Sequence, residues 1–171
     1  MNPMKEVRIE KLTLNIGAGK DQTKLKKAEK LLKQITGINP VKTITQKRIA
    51  GWGLRPGLPI GCKITLRKGD AKAVLVRLLK AKENRLSPNS IDDYGNISFG
   101  IHEYIDIPEA KYDPEIGIIG LQTSLTLERP GFRIKKRKLV KRKISHKHRI
   151  SKEDAIEFLK KEFKVSIGEK E

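Results

Sequence analysis

Between Arg129 and Arg149 the chain carries 11 Lys and Arg residues and no acidic one. Cations packed this densely repel one another. The stretch Arg133–Arg149 therefore cannot build a core of its own and is expected to lack fixed structure until phosphate neutralises it. Any fold must be assembled from the rest of the chain, and its composition allows one. Hydrophobic residues make up 37% of the 171, and a chain of this length buries roughly 70% of its unfolded surface.

The remaining charge is also segregated. Residues 1–60 carry a net +9 and residues 61–128 and 150–171 each carry −1, which with the +11 of residues 129–149 gives a total of +18. Between Leu86 and Glu128 there are eight acids and a single base, Lys111. An excess this large calls for a polyanionic partner. The acidic block reads either as a solvated loop or as a surface for a basic protein. Cys62 is the sole cysteine, which leaves no intramolecular disulfide and makes a cysteine-based zinc site a poor reading. No apolar run approaches the roughly 18 residues of a membrane span, and the N-terminal stretch shows no signal-peptide core. Neither membrane nor metal is an expected partner, and a reducing compartment is the expected location.

Alternation predicts strands. Leu12, Leu14 and Ile16 point one way, and Lys11, Thr13 and Asn15 the other. Further strands are expected over Pro40–Gln46, Ile60–Arg67, Ile97–Ile101 and Ile119–Leu127. Helical spacing appears from Asp21, with Leu25, Ala28, Leu31, Leu32 and Ile35 on one face and Gly37 as its stop. A second helix is expected with Asp70 as its cap and its end near Lys82. A last one starts at the box-like Ser151-Lys-Glu-Asp154. The fold class is α+β: a mostly antiparallel five-stranded sheet, helices packed on one face, and a basic C-terminal extension with a terminal helix. The expected division is an α+β domain over residues 1–128, then the extension and C-terminal helix over residues 129–171.

The uncovered sheet face would gather Lys11, Thr13, Asn15, Lys63, Thr65, Arg67, Ser98, Gln122, Ser124 and Thr126. It lacks carboxylates and aromatics. Such a face suits phosphate, sugar hydroxyls and folded RNA better than unstacked bases, which need aromatic platforms. An ordinary solvent face would mix both signs of charge. No helix-turn-helix, basic zipper or zinc finger is visible, which argues against sequence-specific DNA readout.

The connection from Gln46 to Gly61 is far longer than a hairpin needs. It holds Lys47, Arg48, Arg55 and the single tryptophan, Trp52, and reads as a contact loop. Enzyme readings fail. Gly17-Ala-Gly19-Lys20 lacks phosphate-loop spacing, and Gln22 stands where a dinucleotide fingerprint needs glycine. Its amides still suit a phosphate at a helix start. His102, His146 and His148 form no ligand pattern, and Asp92 and Asp93 read as turn formers. No catalytic residue, cofactor or metal is expected.

Several stretches resemble a known family. Arg8–Gly17, Gly37-Ile-Asn-Pro40, Ile49-Ala-Gly51, Leu54–Arg67 and Tyr94–Ile101 are similar, in order, to large-subunit ribosomal proteins of the L5 family. Arg129-Pro-Gly-Phe-Arg133 and His148–Ala155 resemble its archaeal and eukaryotic branch. The resemblance implies a structural protein of the cytoplasmic ribosome that binds 5S rRNA in the central protuberance. By motif position, Asn15, Thr43, Thr65 and Arg67 would hold that RNA, with Lys11, Thr13 and Lys63 beside them. Lys47, Arg48, Trp52 and Arg55 would reach the tRNA in the peptidyl site. Tyr112, Asp113 and Glu115 would bridge to a basic protein of the small-subunit head. Ile38 departs from the Gln common in bacterial relatives. The extension, with Arg133, Lys135, Lys136, Arg137, Lys138, Lys141, Arg142 and Lys143, has no bacterial counterpart and is expected to bind RNA, its target left open; large-subunit rRNA is a further expected partner of the protein. The competing reading is a free-standing basic nucleic-acid-binding protein or RNA chaperone.

Overall fold

A computed structural model describes residues 2–168. Its centre is an antiparallel five-stranded sheet built from β1 (Arg8–Gly17), β2 (Val41–Ile44), β3 (Pro59–Leu66), β5 (Ile97–Ile101) and β6 (Leu121–Glu128), in the order β2-β3-β1-β6-β5. Helices α1 (Gln22–Thr36) and α2 (Lys68–Lys80) cover one face. The period-two pattern of β1 is the reason. Leu12, Leu14 and Ile16 are buried while their neighbours stay partly open. Leu25, Ala28, Leu31, Leu32 and Ile35 of α1 and Ala71, Val74, Leu75, Leu78 and Leu79 of α2 close over them. Each fully buried leucine contributes about 1.5–3 kcal/mol of transfer free energy.

The helix ends follow local chemistry. Asp21 caps α1 by accepting from the Thr23 and Lys24 amides, and Gly37 closes it at φ 72°. The Thr23 hydroxyl also donates to the Asp21 carboxylate, and that bond does most to hold the carboxyl below its usual range. The cap of α2 differs from expectation. Arg67 occupies the N-cap position without a side-chain bond, and Asp70 lies inside the first turn. There its charge faces the positive end of the helix dipole rather than replacing a missing bond. The helix also stops at Lys80, two residues before Lys82.

The C-terminal part joins the same core. After β6 come a single turn, α3 (Arg133–Lys136), an irregular stretch, and α4 (Lys152–Phe163). Ser151 and Asp154 form the expected capping box. Ile150, Ala155, Leu159 and Val165 belong to one hydrophobic cluster with the sheet. A short parallel pair of β4 (Arg85–Leu86) and β7 (Ser166–Ile167) ties the end of the chain to the segment after α2.

The basic stretch is not the featureless segment that its charge predicts. Arg129, only 7% exposed, donates to the Arg149 carbonyl and pairs with Asp154 at 2.9 Å. Phe132 meets the His148 ring edge-on, and the Arg142 amide donates to the Ile134 carbonyl. The segment is pinned at both ends, so its cations do not have to form a core to hold a position.

Candidate nucleic-acid interface

The uncovered sheet face is built by register. Val41, Lys63, Asn15, Gln122 and Gly100 are successive partners across all five strands. The next row is Thr65, Thr13, Ser124 and Ser98. Lys11 pairs with Thr126 beyond it. Cross-strand bonds fix these side chains: Asn15 Nδ2 donates to Gln122 Oε1 at 3.2 Å, and the Ser98 and Ser124 hydroxyls lie 3.2 Å apart. Thr43 sits over Gly61 of the neighbouring strand. A Cβ at Gly61 would lie 3.0 Å from Thr43 Oγ1 and 2.7 Å from the Ile16 carbonyl oxygen, so only glycine leaves room for the threonine. The structure thus gathers Lys11, Thr13, Asn15, Thr43, Lys63 and Thr65 on one face, with Arg67 exposed at its end.

That end is not free of carboxylates, contrary to the sequence pattern. The β1–β6 register shifts between Ile9 and Lys11, leaving Glu10 as an extra residue in a bulge. Its carboxylate lies 3.7 Å from Arg67 Nη1 and 2.6 Å from Lys136 Nζ. Glu128 joins the group, with Arg8 at 3.0 Å and Lys136 at 3.1 Å. Partial burial works against the charge on Lys136. The Glu10 and Glu128 carboxylates outweigh it and hold its ammonium pKa above the usual lysine value. Lys136 is therefore an anchor that holds the extension on the sheet, whereas the sequence groups it with the RNA-facing cations. Lys135, Arg137, Lys138, Lys141, Arg142 and Lys143 stay exposed, as does Arg133. The clue to Glu10 is visible in the chain: Glu10-Lys11 interrupts the alternation with two polar residues in a row.

The long β2–β3 loop is folded rather than loose. Thr45 and Leu58 extend the ladder, and Ile49 and Leu54 exchange backbone bonds of 3.1 and 3.0 Å. Leu54 is buried, which pins the loop. The tip carries Trp52 at 70% exposure, with Lys47, Arg48 and Arg55 exposed around it. Lys20 approaches the same tip: its Cδ lies 3.8 Å from where a Gly53 Cβ would stand.

The acidic region is partly neutralised from within. Lys30 of α1 reaches Asp113 at 2.8 Å and also pairs with Glu115. The bond to Lys30 is the main reason that the Asp113 carboxyl sits below its usual range. Asp113 is further fixed by the Tyr104 hydroxyl, which accepts from its amide. Tyr112 and Ile118 remain exposed beside this cluster. The remaining chemistry is quiet. Burial, with the Glu29 charge adding to it, pushes the Cys62 thiol up to about 11, so it stays an unreactive core residue. Among the described residues, no group of His, Cys, Asp and Glu has the arrangement of a metal site. No helix among them is long and apolar enough to cross a membrane.

Comparison with known proteins gives the family. A family model for the C-terminus of the ribosomal L5 family matches residues 59–158, and one described as ribosomal protein L5 matches residues 2–55. The chain is 48% identical over 170 residues to the large ribosomal subunit protein uL5 of Sulfurisphaera tokodaii, covering 99% of this chain and 96% of that protein. It is also 48% identical to uL5 of Nanoarchaeum equitans, over 97% of this chain and 98% of the relative. With uL5 of Sulfolobus acidocaldarius the identity is 47%, over 98% and 94%. The class so defined is that of large-subunit ribosomal proteins, which serve structural rather than enzymatic roles in translation. Within it, the chain belongs to the ribosomal protein L5 family, in its archaeal-type form. The ribosomes of the archaeal relatives are cytoplasmic, in line with the location expected from the sequence.

Proposed function

We propose that this chain is a structural constituent of the large ribosomal subunit that binds 5S rRNA through the uncovered sheet face. One observation carries the reading: the cross-strand rows of Lys63–Asn15–Gln122 and Thr65–Thr13–Ser124–Ser98. They set one cation, two amides and four hydroxyls in a fixed array with no carboxylate between them. Hydroxyl and amide groups match the 2′-hydroxyls and phosphate oxygens of a folded RNA surface, and the flanking cations supply affinity. The absence of an aromatic side chain in these rows fits an RNA whose own bases remain stacked.

Two further contacts complete the proposal. The Trp52 tip, with Lys47, Arg48 and Arg55, is a rigid basic finger suited to the peptidyl-site tRNA. Tyr112, Asp113 and Glu115 offer an acidic, partly aromatic surface to a basic protein of the small-subunit head. The exposed cations of the extension meet large-subunit rRNA.

The test is a binding comparison at fixed moderate salt. The full chain should prefer 5S rRNA to a duplex RNA of equal length, and equal affinity for both would refute the reading. The logarithm of the affinity should fall with the logarithm of salt by about 0.7–0.9 per phosphate contacted.

A further inference from the structure

A cavity of about 590 Å³ opens between the end of the sheet and the basic extension. This is within the roughly 300–1,000 Å³ of small-molecule sites. Its wall is strongly cationic, with Lys135, Lys141, Arg142, Lys143 and Arg149. Among the described residues Glu10 is the sole acid lining it, and that carboxylate is already paired with Lys136 and Arg67. Two aromatic side chains, Tyr94 and Phe132, also line it. The open sheet face has cations and hydroxyls without aromatics; this cavity has cations together with aromatics.

Tyr94 is exposed, at 64%, on a turn whose backbone is held in place. Asp92 Oδ1 accepts from the amides of Tyr94 and Asn96, and Asp92 Oδ2 from the Asn96 side chain, so the turn is rigid. Gly95, at φ 75°, lets Ile150 pack onto that turn; a Cβ there would lie 2.5 Å from Ile150 Cγ2. The turn is thereby seated against the end of the extension. A single exposed tyrosine is ordinary on a protein surface, and what sets Tyr94 apart is that it lines a cavity walled by cations. Beside a row of cations it forms the usual platform for an unpaired base, with the phosphates held alongside.

We infer that this cavity binds an unpaired nucleotide of RNA, its base stacked on Tyr94 and its phosphates held by Lys135, Lys141, Arg142 and Lys143. The inference rests on the ribosomal reading for the presence of RNA, but it concerns a separate surface and a different form of RNA. The open face takes folded RNA by its backbone. The cavity takes a nucleotide that has left its stack. Lys136, held by Glu10 and Glu128, positions the cationic wall opposite Tyr94.

The experiment uses the full chain, a fluorescein-labelled hexauridylate, and a blunt RNA duplex with the same number of phosphates. Tyr94→Ala should weaken hexauridylate binding by about 5- to 150-fold, the range that one aromatic platform supplies. Its duplex affinity should stay within about twofold of the parent. Tyr94→Phe should restore hexauridylate binding, because stacking does not need the hydroxyl. Lys141→Ala with Lys143→Ala should weaken both probes and steepen neither salt slope. Unchanged hexauridylate binding in Tyr94→Ala would overturn the inference, as would equal losses for Tyr94→Ala and Tyr94→Phe. The 5S rRNA comparison with Thr65→Ala reads out the sheet face separately. An unchanged 5S preference in Thr65→Ala with the Tyr94 effect intact would refute the sheet reading alone, and a lost 5S preference in Thr65→Ala with no Tyr94 effect would refute the cavity alone.

Discussion

Lys136 Nζ lies 2.6 Å from Glu10 Oε1, so a residue from the most basic part of the chain is bound to the acid in the bulge of β1. Glu128 completes a shared clamp at 3.1 Å. Lys136 is nearly half exposed, so screening keeps the energy of the clamp small, at or below about 1 kcal/mol. Its effect is on position. Glu10→Gln should leave the melting temperature within a few degrees of the parent while backbone amides of residues 133–144 exchange faster with deuterium. Unaltered exchange there would show that other contacts hold the extension.

Asp154 carries more weight than a surface acid. It receives Arg129, whose side chain is 9% exposed, and it caps α4 with Ser151. Asp154→Ala would strand a buried guanidinium and remove half of a capping box. Breaking a fully buried pair costs roughly 3–5 kcal/mol, and the partial exposure of Asp154 discounts this to about 2 kcal/mol. Denaturant unfolding should show that loss. Asp154→Asn should recover part of it through the cap alone.

Gly61→Ala tests the packing under Thr43. The added methyl would meet the Ile16 carbonyl oxygen at 2.7 Å, inside contact distance. Overpacking of this kind costs about 1–3 kcal/mol. The variant should unfold at lower denaturant and also bind 5S rRNA more weakly, because Thr43 is displaced. A stable variant with normal affinity would place Thr43 outside the RNA contact.

The Lys30–Asp113 pair gives a pH dependence with a definite sign. The Asp113 carboxyl is depressed, chiefly by its bond to Lys30. Its contribution to stability is therefore present above the unfolded value of about 3.9 and is lost as pH falls through the folded value. Lys30 is raised by the same bond, with Glu115 adding to it, so its share is present below about 10.4 and is lost as pH rises through the folded value. In Lys30→Ala, carbon NMR of the Asp113 carboxyl should titrate at higher pH than in the parent. An unchanged midpoint would mean that the pair does not persist in solution.

Sheet and loop should separate in binding. Thr65→Ala and Arg67→Ala should each weaken 5S rRNA binding by about 1–3 kcal/mol where they meet buried RNA groups. Deleting residues 47–55 should spare 5S binding and impair association with peptidyl-site tRNA on the assembled subunit. Loss of 5S affinity in the deletion would make the loop part of the 5S site.

The sheet was legible because its strands bury one face. Leu12, Leu14 and Ile16 fix the phase of β1, and Cys62, Ile64 and Leu66 fix that of β3, so the polar array follows by parity. The cap at Asp21, the stop at Gly37 and the Ser151 box could be read because each depends on neighbours a few residues away. Arg67 at the cap of α2 could not: nothing within the turn marks it above Asp70. The contacts of the extension were hidden for a related reason. Lys136 meets Glu10 across more than a hundred residues of chain, and only the bulge brings that acid within reach. In the sequence Tyr94 is marked only by the family-like stretch Tyr94–Ile101, and only the fold sets it opposite the cations.

Glu10 occupies a place where the ladder holds one residue more than pairing requires. A chain without it would keep every β1–β6 partner on the same side, lose the pair with Arg67, and leave Lys136 held by Glu128. The Glu10 half of the clamp is thus separable from the strand pairing of the sheet. Residue 10 can be removed from the strand with the polar rows of the open face left undisturbed.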